Sequence, residues 1–437
     1  MIRTVSPPFD TLQEWLAWQE TLHPRAIDPG LERIAAVAGR MQLLTPEYAV
    51  VTVAGTNGKG SCVAFLESIL LCAGYRVGAY TSPHLLRYNE RVRIEGGEAG
   101  NAALCNAFQR INEARDGISL TYFEFSTLAA LYLFRQERVD IALLEVGLGG
   151  RLDAVNVVDP DVALLAGIDL DHTDWLGESR EQIGWEKAGI MRAGKAAVCG
   201  DPGPPQSVSK HAVEIGARLF RAGPDFKAVR DGEKWNWEGP ETRYTDLPLP
   251  ALQGVHQLRN AAAVIMALEL LADRYPVAWE CLLAGLSRTS LPGRFQIIPG
   301  DVELILDVAH NVQAAATLAE TLGTRPCAGR TSIVLGMLAD KDIDGFVEAL
   351  APQADCWHFA SLPVERGLDA AALVGQTGRC VSWPVKCHES VYLAYLDAMQ
   401  DARAGDRIVV CGSFHTVAEL LMMKDNQEDP DNGWNKN

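Results

Sequence analysis

The stretch AVVTVAGTNGKGSC, Ala49 to Cys62, restricts this chain more than any other. Val50, Val51, Thr52 and Val53 form a β-branched, apolar run that suits a strand buried on both faces of a parallel sheet. The run breaks at Gly55 into GTNGKGS. Beyond it Cys62, Phe65, Leu66, Ile69 and Leu70 recur at helical spacing, and Gly74 supplies a C-terminal stop. A strand, a glycine-rich turn with one lysine, then a helix is the layout of a phosphate-binding loop. Glycines let backbone N–H groups converge on phosphate oxygens, and the helix N-terminus adds partial positive charge. Lys59 offers a mobile cation and Ser61 a hydroxyl for Mg²⁺. The loop departs from the common G-x-x-x-x-G-K-[ST] pattern. Val53 stands at the first glycine, and Gly60 separates Lys59 from Ser61. The plain alternative is a glycine-rich turn, which leaves the lysine and the hydroxyl without a reason.

The rest of the chain repeats strand–helix alternation around that loop. Helices are expected at Thr11 to His23, within Ile27 to Met41, at Thr121 to Phe134 and at His256 to Ala272. Strands are expected at Val77 to Thr81, Ile141 to Leu144, Val162 to Ile168 and Ala196 to Cys199. Four of these ends carry polar groups, which is where an open α/β sheet binds its ligand. Leu219 to Leu252 changes character, with a DG turn between aromatic segments, and reads as a small β hairpin or subdomain. The proline and glycine of SRTSLPGRFQ mark a connector. Beyond it VELILDVA, TSIVLGM, CWHFAS and RIVVCGS alternate with helical stretches, which implies a second parallel α/β domain. The expected organisation is a first domain over residues 1–290 with a β insertion at about 219–252, a hinge at 291–297, a second domain over 298–424 and a disordered tail over 425–437.

Composition excludes some classes of function. At 437 residues two domains are the prior, and 39 basic against 56 acidic residues give a formal charge of −17. That balance argues against a general nucleic-acid or membrane-surface binder. No apolar run approaches a membrane span, and MIRTVSPPFDTLQEW lacks the apolar centre of a signal peptide. The ten cysteines show no C-x-x-C pair, Cys380 and Cys387 being nearest; Cys62, Cys72 and Cys411 read as reduced residues in apolar settings of a cytoplasmic protein.

Lys59, Ser61, Ser82, Glu145 and His172 all fall at or just beyond expected strand ends. One carboxylate, one imidazole and hydroxyls beside nucleotide phosphates can hold Mg²⁺. Taken singly, Glu145 reads as a solvated strand-end carboxylate and His172 as a hydrogen-bonded histidine; the phosphate loop shifts both towards function.

The order of motifs carries further information. AIDPGLERI, GTNGKGS, SPHL, TYFEF, EVGLGGRLDA, DHTDWLG, EKAGI, HQLRN, PGRFQ, DVAHN and a late GSF run in sequence over nearly the whole chain. This series resembles the bacterial bifunctional dihydrofolate synthase/folylpolyglutamate synthases, relatives of the muramyl-peptide ligases. The resemblance implies an N-terminal P-loop ATPase domain with a mostly parallel sheet and a Rossmann-like C-terminal domain. It implies that Thr56, Asn57, Gly58, Lys59, Gly60 and Ser61 cradle ATP, with Asn260, Arg294, Asp307 and His310 also on the nucleotide. Ser61, Ser82, Glu145 and His172 would carry magnesium, as two ions. Lys59, Lys187, His172 and Glu145 would serve catalysis, with Lys187 of EKAGI carbamylated; the plain reading of Lys187 is a helix salt bridge with Glu186 or a neighbour. Ala26, Ile27, Asp28 and Pro29, Thr121, Tyr122, Phe123 and Glu124, and Leu152, Asp153 and Ala154 would form the pterin surface. Without the family, Tyr122 and Phe123 are plain core aromatics. Val312 replaces the family's usual proline after Asn311.

The implied reaction joins L-glutamate to 7,8-dihydropteroate, and further glutamates to reduced folates, at the expense of ATP. A carboxylate acylates only once its oxygen has become a phosphate that can leave. Water must be kept from that intermediate, so closure about Ser287 to Arg294 is expected. Small-molecule substrates and a monomer are implied. Folylpolyglutamate synthase alone is the near alternative. A muramyl-peptide ligase would be expected to bring a nucleotide-sugar domain where about fifty residues precede the loop. A nucleotide-dependent switch would need N-K-x-D, which is absent from the sequence. The glutamate-gripping residues are expected in the second domain, near Lys341, Asp342, Ser413 and His415.

Overall fold

The computed structural model describes residues 7–377 and 384–428. The chain forms two units: residues up to Ala251 with Gln257–Thr289, and Leu252–His256 with the residues from Ser290 onwards.

The first unit opens with α1 (Leu12–Leu22) and α2 (Glu32–Arg40). Thr11 caps α1 in a reciprocal box with Glu14, whose side chain returns to the Thr11 amide. Next come β1 (Ala49–Ala54), α3 (Lys59–Cys72), β2 (Val77–Tyr80), β3 (Val92–Ile94), β4 (Gly97–Glu98), α4 (Asn101–Arg115), α5 (Tyr122–Gln136) and β5 (Ile141–Glu145). Then follow β6 (Val162–Leu165), α6 (Thr173–Leu176), α7 (Arg180–Ala188), β7 (Ala196–Cys199), α8 (Gln206–Ile215) and β8 (Arg218–Arg221). These strands make one sheet in the order β4-β3-β2-β5-β1-β6-β7-β8. It is parallel from β2 to β8, with an antiparallel edge at β3 and β4. Every residue of β1, β5 and β6 is buried, as their unbroken apolar runs require.

A separate sheet holds β9 (Lys227–Asp231), β10 (Lys234–Glu238) and β11 (Arg243–Pro248), and α9 (Val255–Leu271) and α10 (Trp279–Arg288) follow. The expected insertion at 219–252 therefore starts too early: residues from Arg218 to Arg221 extend the main sheet beside β7. Of the two forms expected, hairpin or subdomain, it is the latter, a three-stranded antiparallel sheet. Alternation along KWNWE buries Trp235 and Trp237 on one face. Trp237 Nε1 donates to the Ala262 carbonyl of α9 at 3.0 Å, which fastens the small sheet to that helix. Removing such a buried indole costs about 3–5 kcal/mol.

The second unit contains β12 (Gln296–Ile298), β13 (Glu303–Leu306), α11 (Val312–Gly323), β14 (Thr331–Leu335), α12 (Ile343–Leu350), β15 (Cys356–Ala360), α13 (Ala370–Thr377), β16 (Val385–His388), α14 (Val391–Asp401), β17 (Arg407–Cys411) and α15 (Phe414–Glu428). Its sheet runs β12-β13-β17-β14-β15-β16, all parallel except β12. Two sequence expectations fail here. Gln296 and Ile297, placed in the hinge, pair with Leu306 and Ile305 because the β-branched pair Ile297-Ile298 continues the sheet. Residues 425–428, placed in the disordered tail, continue α15; the remainder of that tail lies outside the described residues. Cys72 is exposed rather than buried, and Cys380 lies outside the described residues. Among the described residues no helix is long and apolar enough to cross a membrane.

Candidate functional site

β1 lies between β5 and β6 in the first sheet, so four polar strand ends sit side by side: Ser82 after β2, Glu145 on β5, the loop after β1, and His172 after β6. The crossover from β1 runs to β2 on one side while that from the adjacent β6 runs to β7 on the other, so a switch point and its crevice lie here. The loop reaches α3 through Gly58, whose φ of +92° is a left-handed conformation that glycine adopts without strain. A Cβ there would stand 2.7 Å from Asn260 Oδ1, so the position must be bare. The Thr56 amide donates to the Gly167 carbonyl at 2.7 Å and its hydroxyl to the Asp169 carbonyl at 2.8 Å, which ties the loop to the chain beyond β6.

Two lysines converge on one carbonyl. Lys59 Nζ donates to the Gly55 and Thr56 carbonyls at 3.0 and 3.1 Å, and Lys187 Nζ reaches the same Gly55 oxygen at 3.0 Å. Lys187 comes from the last turn of α7 and is buried. Burial first, and the neighbouring Lys59 charge second, push its ammonium down to about 7, against smaller opposing pulls from Asp171 and Asp153. Half of such amines are uncharged near neutrality, and an uncharged amine is the form that reacts with electrophiles.

Ser61, in the first turn of α3, accepts from Gln257 Nε2 at 3.1 Å, and Gln257 Oε1 accepts from Asn260 Nδ2 at 3.0 Å. All three are buried. Glu145, at 5% exposure, accepts from the Ser82 amide at 3.1 Å. His172 lies in the loop entering α6 with φ +51° and an exposed ring, its Nε2 4.0 Å from Asp171 Oδ2.

Beside these strand ends lies a cavity of about 410 Å³. Ala26 to Pro29 form one wall, Thr121, Phe123 and Glu124 another, and the turn from Gly147 to Ala154 a third, with Ser82 at its rim. One carboxylate organises the turn: Asp153 accepts from the Leu148 and Val155 amides at 2.8 and 3.0 Å. Burial lifts its carboxyl to about 6 although those amides pull the other way. Gly147 lets the turn approach Phe123, since a Cβ would come within 2.6 Å of the ring. Glu124 closes the capping box of α5 by accepting from the Thr121 amide at 2.7 Å, and its other oxygen faces Arg33 Nε at 3.3 Å. Arg33 also holds Asp28 at 2.6 Å, so one guanidinium fastens two walls. Phe123 and Trp175 give the cavity flat apolar surfaces.

In the second unit, Arg294 stacks over Phe414 at 4.9 Å, and the His310 ring lies 6.3 Å from that of Phe414. Asp307 is a loop organiser: its oxygens accept from the Phe295 and Ala309 amides, both at 2.8 Å. Burial raises its carboxyl, with Arg294 as the main opposing charge. Asp342 caps α12 and Ser413 binds Thr416, so both have structural partners.

A family model described as the Mur ligase glutamate ligase domain matches residues 293–414. The dihydrofolate synthase/folylpolyglutamate synthase of Escherichia coli (strain K12) is 46% identical over 414 residues, 95% of this chain and 96% of that protein. This chain belongs to the dihydrofolate synthase/folylpolyglutamate synthase family. It is an ATP-dependent ligase of that family. A structure of E. coli FolC in complex with DHPP and ADP matches with TM-score 0.92 at 45% identity, over 96% of this chain and 99% of that one. A bifunctional family enzyme with Mn, AMPPNP and L-glutamate bound matches with TM-score 0.88 at 47% identity, over 95% and 98% of the two chains.

Within this family frame, ten of the eleven residues expected on the pterin surface line the cavity. Tyr122 does not: its ring packs edge-on against Tyr88 and beneath Arg91. Along α5 successive side chains turn by about 100°, and Tyr122 is the one turned away from the cavity, towards Tyr88. Sequence reading missed Gln257, Arg33, Arg91 and Arg151. Gln257 was available in HQLRN, three residues before Asn260 on one helix face. Arg33 carries no comparable signal, because its role depends on a carboxylate far along the chain.

Proposed function

We propose that this protein joins L-glutamate to 7,8-dihydropteroate and adds further glutamates to reduced folates, forming ADP. The observation that carries the reading is the position of Ser82: it lines the large cavity, and its amide binds the carboxylate at the end of the strand beside the phosphate loop. An acceptor held in the cavity thus has its carboxylate presented towards the nucleotide loop.

The loop from Thr56 to Ser61 cradles the ATP phosphates with its amides beyond Thr56, whose own N–H stays on the Gly167 carbonyl, and with Lys59. Lys59 exchanges its two carbonyl partners for phosphate oxygens, a stronger, charge-assisted pairing. The acceptor carboxylate attacks the γ-phosphorus, the bond to the ADP oxygen breaks, and an acyl phosphate forms. The glutamate amine then attacks the acyl carbon, loses a proton, and phosphate leaves with the C–O electron pair. Positive charge fixed before the reaction favours both steps, because charge on the transferred group needs no solvent reorganisation.

Ser61, Ser82, Glu145 and His172 are the residues proposed to hold magnesium, as two ions. Hydroxyl, carboxylate and one imidazole at neighbouring strand ends suit a hard cation that keeps phosphate and water ligands. Magnesium there would neutralise charge on the transferred phosphoryl group. Lys187 is proposed to carry a carbamate: its uncharged amine attacks CO₂, the new N–C bond forms as one C=O pair moves to oxygen, and a proton is lost. The product is a carboxylate beside Lys59. Asn260, Arg294, Asp307 and His310 are proposed as further nucleotide residues, Asp307 through the loop it shapes. The domain assignment is likewise proposed as an ATP-binding domain followed by a glutamate-ligase domain.

The test is phosphate release from Mg·ATP with L-glutamate, using dihydropteroate in one assay and tetrahydrofolate in another. Release with both, with glutamylated products, is expected. Release with tetrahydrofolate alone reduces the reading to folylpolyglutamate synthase, and equal release without either acceptor overturns it.

A further inference from the structure

The second unit gathers a separate constellation at one edge of its sheet. His358 lies in β15, His388 ends the edge strand β16, and Asp397 sits in α14. His358 Nδ1 is 3.3 Å from His388 Nε2 and 3.3 Å from Asp397 Oδ2. His388 Nε2 is 3.8 Å from that same oxygen. The ring centroids are 5.4 Å apart with planes 19° from parallel. Because the centroids are so much farther apart than the nitrogens, the rings meet edge to edge, nitrogen towards nitrogen. In a tetrahedral zinc site with bonds of about 2.0–2.1 Å, neighbouring ligand atoms stand about 3.3 Å apart. Two of the three separations have that value, and the third is slightly longer.

We propose that His358, His388 and Asp397 bind a divalent transition ion of the zinc type, with water completing the coordination. Two imidazoles and one carboxylate select such an ion over magnesium, which prefers oxygen ligands. The surroundings fit. Cys356 Sγ donates to the Pro384 carbonyl at 3.6 Å and faces His358 Nε2 at 3.6 Å. With the thiol proton on the carbonyl, the sulfur can accept from Nε2–H, leaving the Nδ1 lone pair for the ion. His358 is fully buried, and an imidazole ligates metals in its neutral form. Lys386 Nζ is the competitor, 2.7 Å from Asp397 Oδ2. It is also 2.7 Å from Asp401 Oδ2, so it retains a carboxylate when the ion takes Asp397. The ion would staple the edge strand β16 to β15 and α14, none of which the ligase reading uses.

The experiment titrates the chelator-treated full-length protein with Zn²⁺, with Mg·ADP present throughout, by calorimetry and by thermal melting. One equivalent and a raised Tm are expected. His388→Ala and Asp397→Asn should each weaken that binding at least tenfold and abolish the Tm rise, with ligase activity retained. Lys386→Ala should tighten it, since it removes the competing cation. Co²⁺ should give the intense visible bands of a four-coordinate ion in the parent and lose them in His388→Ala. Absence of zinc binding overturns the proposal. So does binding of equal strength in the parent and both ligand variants, which would place zinc elsewhere.

Discussion

Lys187→Met should stabilise the protein at neutral pH while removing its activity. In the unfolded chain a lysine keeps its proton to about 10.5, whereas the folded protein releases it near 7. Between these values the unfolded state binds the extra proton, so this residue makes stability rise with pH. The penalty is full below about pH 7 and is relieved by about 10.5. That interval corresponds to roughly 5 kcal/mol, and about 4 kcal/mol of it remains at pH 7.5. Methionine matches the length of the stem and carries no charge. It forfeits the bond to the Gly55 carbonyl, worth about 1–2 kcal/mol in a buried setting. The net expectation is a gain of about 2–3 kcal/mol at pH 7.5, shrinking to a loss of about 1 kcal/mol above pH 10. In thermal melts of a domain this size, the neutral gain corresponds to a rise of about 4–10 °C. Parent and variant are melted at pH 6.5, 7.5, 8.5 and 9.5 (all ~) in carbonate-free buffer, then again with bicarbonate. Bicarbonate should raise the Tm of the parent alone, since it supplies the CO₂ for a carbamate. A variant that is less stable by the same amount at every pH would refute the account of Lys187 as a buried, readily discharged amine.

Other substitutions test the cavity and the loop. Arg33→Ala leaves buried Glu124 without its guanidinium and should cost about 1–3 kcal/mol in denaturant unfolding, with a higher KM for dihydropteroate. Gly147→Ala drives a methyl into the Phe123 ring and should raise the acceptor KM about tenfold with the KM for ATP unchanged, read from initial rates. Gln257→Ala frees the Ser61 hydroxyl and should lower kcat/KM for Mg·ATP about tenfold; Gln257→Glu, which keeps an acceptor for Asn260 but loses the donor to Ser61, should not restore it.

Much of this was legible because the physics is local. An unbroken apolar run must be buried on both faces, so β1, β5 and β6 could be read directly, and glycines in a strand-to-helix turn announced the loop. The motif series located the cavity walls at Ala26 to Pro29 and Leu152 to Ala154. Edge strands resisted reading: VKCH of β16 and QII of β12 are too short to display a period, whatever their residues prefer. Side-chain direction resisted too, as Tyr122 shows. Arg33 was invisible because its two carboxylate partners are joined only by folding, and the Lys187 amine owes its low proton affinity to burial that no spacing encodes.

The register of β1 has a consequence for how the protein comes into being. Its partners are β5 at Ile141–Glu145 and β6 at Val162–Leu165, while the helix that braces Ser61 begins at Val255. The strand that carries the phosphate loop therefore lacks its sheet partners until much later residues have been synthesised. Pairings this distant in sequence are slow to close. Emergence of nucleotide affinity during synthesis would thus mark completion of the first unit rather than the appearance of its motif, and a nascent chain ending before residue 255 would display GTNGKGS without a usable site.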